Sequence, residues 1–598
     1  MKSTITQKEL IVRILLIHLL DVYSPCDNEF ALTHRAGFSY TLFPKVRSLS
    51  NSRDETCFRN SGGNPLGLDA VIIADYDVRS LSGSSPLKLN LDDRTAFIQV
   101  VRNYLDHQGE VVSPIRGDGI DSWSASYKLN GIFLFSYLTK HGFETDWINN
   151  YAAERERFQG LLRQDPRAIV ISTTFISGKR DFRALVEDIR SMAPDVFIIA
   201  GGTFVYMSYV IMKRFDEPIY QLEEMRKDYL FLSRDDPPVD LYVISLCGEK
   251  ILVQALEELK KKGPPKNLPN TALFSQGRYV FTREVDDVSD AGDMVVDWDL
   301  IPQRVFESGV VPMQASTGCP NRCSFCNFTK DRRLLSVKPL NRLTAELNAV
   351  ADRGARYVWF VDDNFRLGKM DLDLVCRQWA DEGPQVQWMS FLRAETLKNV
   401  DLETLRRSGC HELQFGLESG DPQILKNMNK QLDPKYAEQV IQDLLALGIN
   451  CSCYFIIGFP GETDESVART IAFIKNLENP SLEGLLFWSI YPFMLAPMSP
   501  VFEAEIREKY ELTGYLFNWK HRTMDSAQAT DHVKKVFFEL ENSGSMYRGD
   551  NMEYLLDLPL SKRRQFVIKR HELAKKALQH KLEKNDVLQA FSRIFDPT

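Results

Sequence analysis

The sequence predicts an α/β protein in three parts: an N-terminal doubly wound (Rossmann-like) domain, a central partial (β/α)6 TIM-type barrel and a helical C-terminal region. Three observations predict it. Short apolar, β-branched runs alternate with helix-length segments twice, over residues 66–265 and again over 306–503. A 266–305 linker containing the probable hairpin "NTALFSQGRYVFTREV" separates the two series. From 504 to 598 the pattern turns helical and highly charged. A chain of 598 residues also exceeds what one hydrophobic core holds.

Residues 1–65 form an extension. Its segment "ELIVRILLIHLLDVY" is interrupted by Arg13 and His18 and is followed by no small-residue cleavage site. It falls short of the ~20 apolar residues that span a bilayer. It reads as an amphipathic helix, which implies no membrane segment and a reducing cytoplasmic setting where thiols stay free or bind metal. In the first series "DAVIIADYD" (69–77), "FETDWIN", "AIVISTTF" (168–175), "DVFIIAGG" (195–202) and "DLYVIS" read as strands. "KLNGIFLFSYLTKHG" (128–142) and "RDFRALVEDIRSMAP" (180–194) read as helices. This alternation gives a parallel sheet covered on both faces, with ligands at the carboxyl ends of its strands.

In the second series the strands are "VVPMQAS", "RYVWFVDD", "QVQWMSFLR", "ELQFGLES", "NCSCYFIIGFPG" and "GLLFWSIYPF". The helices between them include "LNRLTAELNAVADRG" (340–354), "LETLRRSG" and "PKYAEQVIQDLLALG" (434–448). Six strand–helix pairs make a barrel, open or closed. The basic stretch "KRRQFVIKRHELAKK" in the last region reads as a solvated helix face, and the tail is expected to close the barrel mouth.

The net charge of −8 argues against a general nucleic-acid binder, which needs a basic surface. The cysteines are more telling. Three of the ten, Cys319, Cys323 and Cys326, fall in "CPNRCSFCN" with the spacing C-x3-C-x2-C. A closed zinc site wants four ligands, and no His or Cys occurs in the next 40 residues. An odd triplet is awkward for disulfides, and the polar, turn-like surroundings are wrong for buried apolar thiols. Thiolate ligands of an iron–sulfur cluster remain. Three protein ligands leave one iron open, which suits a small-molecule ligand.

This spacing, in a loop after the first strand of a barrel-like series and with Phe325 before the third cysteine, resembles the radical S-adenosylmethionine (SAM) enzymes. The resemblance implies a 4Fe-4S cluster on Cys319, Cys323 and Cys326, with the amino and carboxylate groups of S-adenosyl-L-methionine on the fourth iron. It also implies roles for later residues. Asp362 and Asp363 of "FVDDNF" would contact the methionine amino group, a cap or turn being the plain alternative for one of them. Arg393, closing "WMSFLR", would pair with the carboxylate, as a bidentate guanidinium suits. Glu418 and Ser419 of "FGLESG" would lie near the ribose or amino-acid part. Gly458 and Gly461 of "YFIIGFPGET" would let backbone approach the adenine closely.

The first sheet lacks G-x-G-x-x-G after its opening strand, so dinucleotide binding fails. Its small residues lie elsewhere: Ser172, Thr173 and Thr174 after one strand, Gly201 and Gly202 after the next, then Gly248 and Glu249 in "CGEK". This set resembles the cobalamin-binding domain that precedes the radical domain in a large subgroup of these enzymes. Asp-x-His-x-x-Gly, whose His ligates cobalt in the cobalamin mutases, is absent here. "DHQG" has the letters without the spacing, so His107 reads as a surface residue. The lower cobalt face would be open or covered from the "DYDVRS" loop.

Together these resemblances imply a cobalamin-dependent radical SAM methyltransferase. It would move a methyl group from SAM through methylcobalamin to a carbon or phosphorus centre of a natural product, peptide or lipid. Tyr491 and Trp488 are the candidate substrate contacts, with core packing as the plain alternative for the aromatics of this stretch. A flavodoxin or ferredoxin would supply electrons to a cytoplasmic monomer that binds neither nucleic acid nor membrane. The alternative is an enzyme of the same architecture that cyclises, rearranges or oxidises without methylating. Methylthio transfer to tRNA is disfavoured, because Cys26 and Cys57 stand alone and the C-terminus reads as helical.

Overall fold

The computed structural model describes residues 67–76, 127–286 except 177, 234 and 262, 295–328, 335–365, 372–545 except 384, 559–579, 581 and 586. The N-terminal extension, His107 and the loop beyond Tyr76 lie outside the described residues. Among those described, no helix is long and apolar enough to cross a membrane.

In the first sheet, β1 (Ala70–Ile73), β2 (Thr145–Ile148), β3 (Ala168–Ser172), β4 (Phe197–Gly201) and β5 (Leu241–Val243) are parallel, in the order β2-β1-β3-β4-β5. β6 (Thr271–Ser275) and β7 (Arg278–Phe281) extend it as an antiparallel hairpin. Every residue of β1 and β3 is buried, as a sheet covered on both faces requires. The helix Lys179–Met192 shows how the cover is made. Its Phe182, Leu185, Val186 and Ile189 recur at helical spacing and are its buried face. The strand order reverses between β1 and β3, which opens a crevice at their carboxyl ends.

The second sheet begins with β8 (Val310–Met313). The hairpin of β9 (Ser316–Thr317) and β10 (Ser336–Val337) follows, and the cysteine loop lies between its strands. β11 (Tyr357–Phe360), β12 (Gln387–Phe391), β13 (Cys410–Glu418), β14 (Asn450–Ile457) and β15 (Leu486–Pro492) then add in chain order, all parallel. These are the six expected strands of a partial barrel. Strand alternation divides its two faces. Outward, Phe360 and Trp388 pack on Trp379 of the helix Leu372–Glu382 with centroids 6.2 and 6.0 Å away. Inward, the Phe391 and Tyr454 rings lie 5.6 Å apart, and Ser452 donates to Glu412 at 2.9 Å.

The last region departs from the expectation of helix alone. It holds the helices Ser526–Glu539 and Leu560–Leu578. It also forms a three-stranded antiparallel sheet of β16 (Thr513–Tyr515), β17 (Asn518–His521) and β18 (Met524–Asp525). A further strand, β19 (Gly544–Ser545), joins the edge of β15.

The basic stretch "KRRQFVIKRHELAKK" is not a solvated face. Phe566, Val567, Arg570 and His571 on it are buried. Arg564 donates to the carbonyls of Glu483 and Gly484, and His571 Nε2 to that of Leu540 at 3.0 Å. The positive charge satisfies loop carbonyls against the barrel wall. Two ties link the first sheet to the segment after β15: Arg214 pairs with Glu503 at 2.8 Å, and Met498 N–H donates to Tyr220 Oη at 3.2 Å.

Buried histidines make stability fall in acid. Burial pushes His411 and His571 from 6.5 down to about 3. Between those values only the unfolded chain binds the protons. Stability therefore rises with pH across that window and is lost on acidification, by up to about 1.4 kcal/mol per pH unit and site. Tm measured from neutral to mildly acidic pH is expected to fall less steeply in His571→Leu than in the parent.

Candidate active site

The cysteine loop is anchored at its base by carboxylates from the end of β11. Asp362 accepts from Ala315 N–H at 3.1 Å, from Ser316 Oγ at 2.6 Å and from Ser316 N–H. Asp363 accepts from Gly318 N–H at 2.9 Å. Burial lifts the Asp362 carboxyl to about 6, against the pull of these donors. From the other side Lys338 donates its N–H to Ala315 O at 2.9 Å. Its buried ammonium pairs with Glu346 at 2.9 Å, which also accepts from Trp298 Nε1 at 3.1 Å. Asp362 thus anchors the loop, the cap-or-turn role that the sequence left open for one of the two aspartates. Asp363 keeps an exposed flank.

Within the loop, Cys326 N–H donates to Cys323 O at 3.2 Å, closing a tight turn. Asn321 Nδ2 lies 3.3 Å from Cys319 Sγ. Cys323 is buried, while Cys319 and Cys326 are half-exposed. Burial pushes Cys326 up to about 11 and Cys323 upward, and the neighbouring Cys319 adds to both shifts. Metal binding to such thiols has to release their protons. Among the described residues, no three or more His, Cys, Asp or Glu side chains converge on a single-ion position.

The loop docks against the turn after β13. Ser324 N–H donates to Met428 O at 2.8 Å and Asn429 Nδ2 to Arg322 O at 2.7 Å. This brings two cations to Cys323. Arg393 Nη1 lies 3.9 Å from its sulfur, and Lys430 lowers its pKa from nearby. Lys430 pairs with Glu418 at 3.0 Å, both nearly buried. Glu418 has φ of +66°, a conformation rare for a residue with a side chain, and the β13–β14 register slips beside it. Its carboxylate folds over Gly416, where a Cβ would stand 2.5 Å from Oε1. Three thiols beside an Arg, a Lys and one strained Glu form a donor set that fits a thiolate-held cluster with a zwitterionic ligand next to it.

Two sequence expectations fail here. Ser419 is fully buried and faces away from the loop, bonded to Thr470 Oγ1 at 3.0 Å on the helix Asp464–Leu477. Trp488 has the outward parity of β15. It packs on Phe537 and His571 with centroids 5.7 and 5.2 Å away and donates to Ser543 Oγ at 2.9 Å. It is wall packing and does not reach the barrel interior. Tyr491 has the opposite parity and is 37% exposed, with Met494 (40%) beside it. Gly458 turns the end of β14 with φ of +95°, and Gly461 follows at +94°.

In the first sheet the expected residues do gather at the carboxyl ends of β3, β4 and β5. Ser172 Oγ lies 3.2 Å from Thr174 Oγ1, and Thr173 Oγ1 donates to Gly201 O at 2.8 Å. Gly202 has φ 104° and ψ −167°, and a Cβ there would meet Thr173 N at 3.2 Å. Gly248 caps the helix Glu249–Lys260, with Glu249 in its first turn. Asn130 was missed by sequence reasoning. Its Nδ2 bridges Ala74 O and Ser172 Oγ at 2.8 Å each across the β1–β3 crevice, and its buried Oδ1 has no hydrogen-bond partner. An orphaned acceptor beside a glycine turn fits a crevice built for a polar ligand.

The Radical SAM superfamily profile matches residues 313–474, the stretch that carries the thiol loop and β11 to β14. The chain is 29% identical over 386 residues to an uncharacterized methyltransferase, PH0819, of Pyrococcus horikoshii, covering 62% of this chain and 75% of that one. It is 29% identical over 230 residues to the bacteriochlorophyllide d C-12(1)-methyltransferase of Chlorobaculum tepidum, covering 37% and 49%. Among solved structures it is similar to the radical SAM methyltransferase TsrM of Kitasatospora setae with cobalamin and a 4Fe-4S cluster bound. That match has a TM-score of 0.48 at 16% identity, over 64% of this chain and 75% of that one. The chain thus spans from about half to three quarters of the length of these relatives.

Proposed function

We propose that this chain is a cobalamin-dependent radical SAM methyltransferase acting on a carbon or phosphorus centre of a small-molecule, peptide or lipid substrate. The observation that carries the reading is the three-thiol loop with Arg393 and Lys430 beside Cys323, behind a sheet whose strands end in Ser172–Thr174 and Gly201–Gly202. Similarity to proteins named methyltransferases supports it.

Cys319, Cys323 and Cys326 would hold a 4Fe-4S cluster. Ser172, Thr173, Thr174, Gly201, Gly202, Gly248, Glu249 and Asn130 would line the cobalamin crevice. When bound, these groups supply one-electron cleavage of SAM and carriage of a methyl group. The chain's own part is to bind and orient. Arg393 and Lys430 offer donors to a carboxylate, Glu418 and Asp363 offer acceptors to an ammonium, and the backbone at Gly458 would flank the adenine. Tyr491 and Met494 offer the substrate an apolar contact at the barrel mouth. Electrons would come from a flavodoxin or ferredoxin, and the chain would work as a cytoplasmic monomer.

The test is anaerobic reconstitution with iron, sulfide and cobalamin, then incubation with SAM and candidate substrates. A product heavier by one CH2, with S-adenosylhomocysteine released, is expected. Turnover to a product of unchanged carbon count points to the cyclising or oxidising alternative.

A further inference from the structure

The β16–β18 sheet lies beyond the stretch matched by the superfamily profile, yet two of its side chains converge on one peptide of the candidate site. Gly458, the residue after β14, has no side chain and an unusual φ. Side chains rather than a neighbouring strand occupy both its polar groups. Its N–H donates to Glu462 Oε2. Its carbonyl lies 3.2 Å from His521 Nε2, and since a carbonyl only accepts, His521 is the donor. The other ring nitrogen, Nδ1, accepts from Thr523 N–H at 3.3 Å, which fixes the same tautomer.

Trp519 completes the clamp. Its ring stacks on His521 at 5.3 Å and 3°, and its Nε1 donates to Phe493 O at 2.7 Å. Its edge would stand 2.5 Å from any Cβ at position 458. Both side chains are 2% exposed. The sheet is itself held to the segment after β15 by paired bonds between Leu495 and Leu516 at 2.8 and 3.1 Å. The end of β14 is therefore fixed from outside the barrel by residues that arrive about 60 positions later in the chain.

We infer that His521 is a positioning residue for SAM, which sets the Gly458 peptide, with Trp519 holding the His521 ring in place. The inference rests on the reading of Gly458 as part of the SAM site. It gives the C-terminal sheet a function: tuning cofactor affinity without touching the cofactor.

The test is SAM affinity of the cluster-reconstituted full chain by equilibrium dialysis, with iron content read on the same samples. His521→Leu keeps bulk but removes the donor and is expected to weaken SAM binding about 3- to 10-fold, the worth of one buried hydrogen bond. Iron content is expected to stay at the parent level. His521→Gln, whose amide N–H can reach the same carbonyl, is expected to stay within about twofold of the parent. Unchanged affinity in His521→Leu overturns the inference. Equal losses in Leu and Gln, or loss of iron along with affinity, also overturn it, because they mark a merely structural role. If His521→Leu does not fold, Trp519→Phe leaves a ring over His521 but breaks the bond to Phe493, and unchanged affinity there overturns the inference in the same way. An unsubstituted chain that holds its cluster but binds no SAM overturns the functional reading itself.

Discussion

A Cys323→Ala chain is expected to leave anaerobic reconstitution with little iron and with activity reduced more than ~100-fold, beyond the usual effect of removing a group that only supports a metal ligand. The reason is geometric. Cys323 is the most enclosed of the three thiols, and it faces Arg393 and Lys430, which stabilise its ionised form. Removing it takes one of three ligands, while Arg393 and Lys430 keep their carboxylate partners Glu395 and Glu418. Cys376→Ala is the control. That thiol is buried on the outer helix Leu372–Glu382, so iron content is expected to be unchanged. Iron assay and visible absorption of both proteins decide the matter. Parent-level iron and turnover in Cys323→Ala would end the cluster assignment.

Gly202→Val carries the second large effect, on the other cofactor. At φ 104° and ψ −167° the residue sits where essentially only glycine is stable, and a side chain there costs about 1–3 kcal/mol in backbone strain. A Cβ would also crowd Thr173 N at 3.2 Å and its hydroxyl at 3.3 Å. The β4 turn has to move, and with it the edge of the crevice that Ser172 and Asn130 share. Cobalamin co-eluting with the protein on gel filtration is expected to drop at least about tenfold, since 1.4 kcal/mol is a factor of ten. The thiol loop lies between β9 and β10, away from this turn in the fold, so iron content should hold. Equal cobalamin retention in parent and variant would remove the first sheet from the cobalamin account.

Much of this was legible in the sequence, because the relevant signals are local. β-branched runs such as those of β1 and β3 announce strands buried on both faces. The cysteine spacing is a property of one loop, and the Gly201–Gly202 pair closes β4. What could not be read depends on direction or on return of the chain. Tyr491 and Trp488 look alike in sequence, but strand parity sends one inward and the other against Phe537 and His571. Glu418 and Ser419 are neighbours, yet the register slip at β13 turns the first toward Lys430 and the second toward Thr470.

Lys430 itself reaches the site only after the helix Pro422–Asn427 and a turn at Asn429 with φ of +52° fold it back. The β16–β18 sheet was hidden because its strands are two to four residues long and set among charges. The basic helix Leu560–Leu578 misled for a related reason. Its arginines and histidine answer buried carbonyls rather than solvent, and charge alone does not distinguish the two.

The central claim is that three thiolates leave a cluster iron open to SAM, with Arg393 and Lys430 receiving its carboxylate. The most direct measurement is the electron paramagnetic resonance spectrum of the reduced, reconstituted protein before and after addition of SAM. The account predicts a 4Fe-4S signal that changes shape when SAM is added, with the change lost in Cys323→Ala and weakened in Lys430→Met. A reduced cluster of full iron content whose spectrum is indifferent to SAM would contradict it.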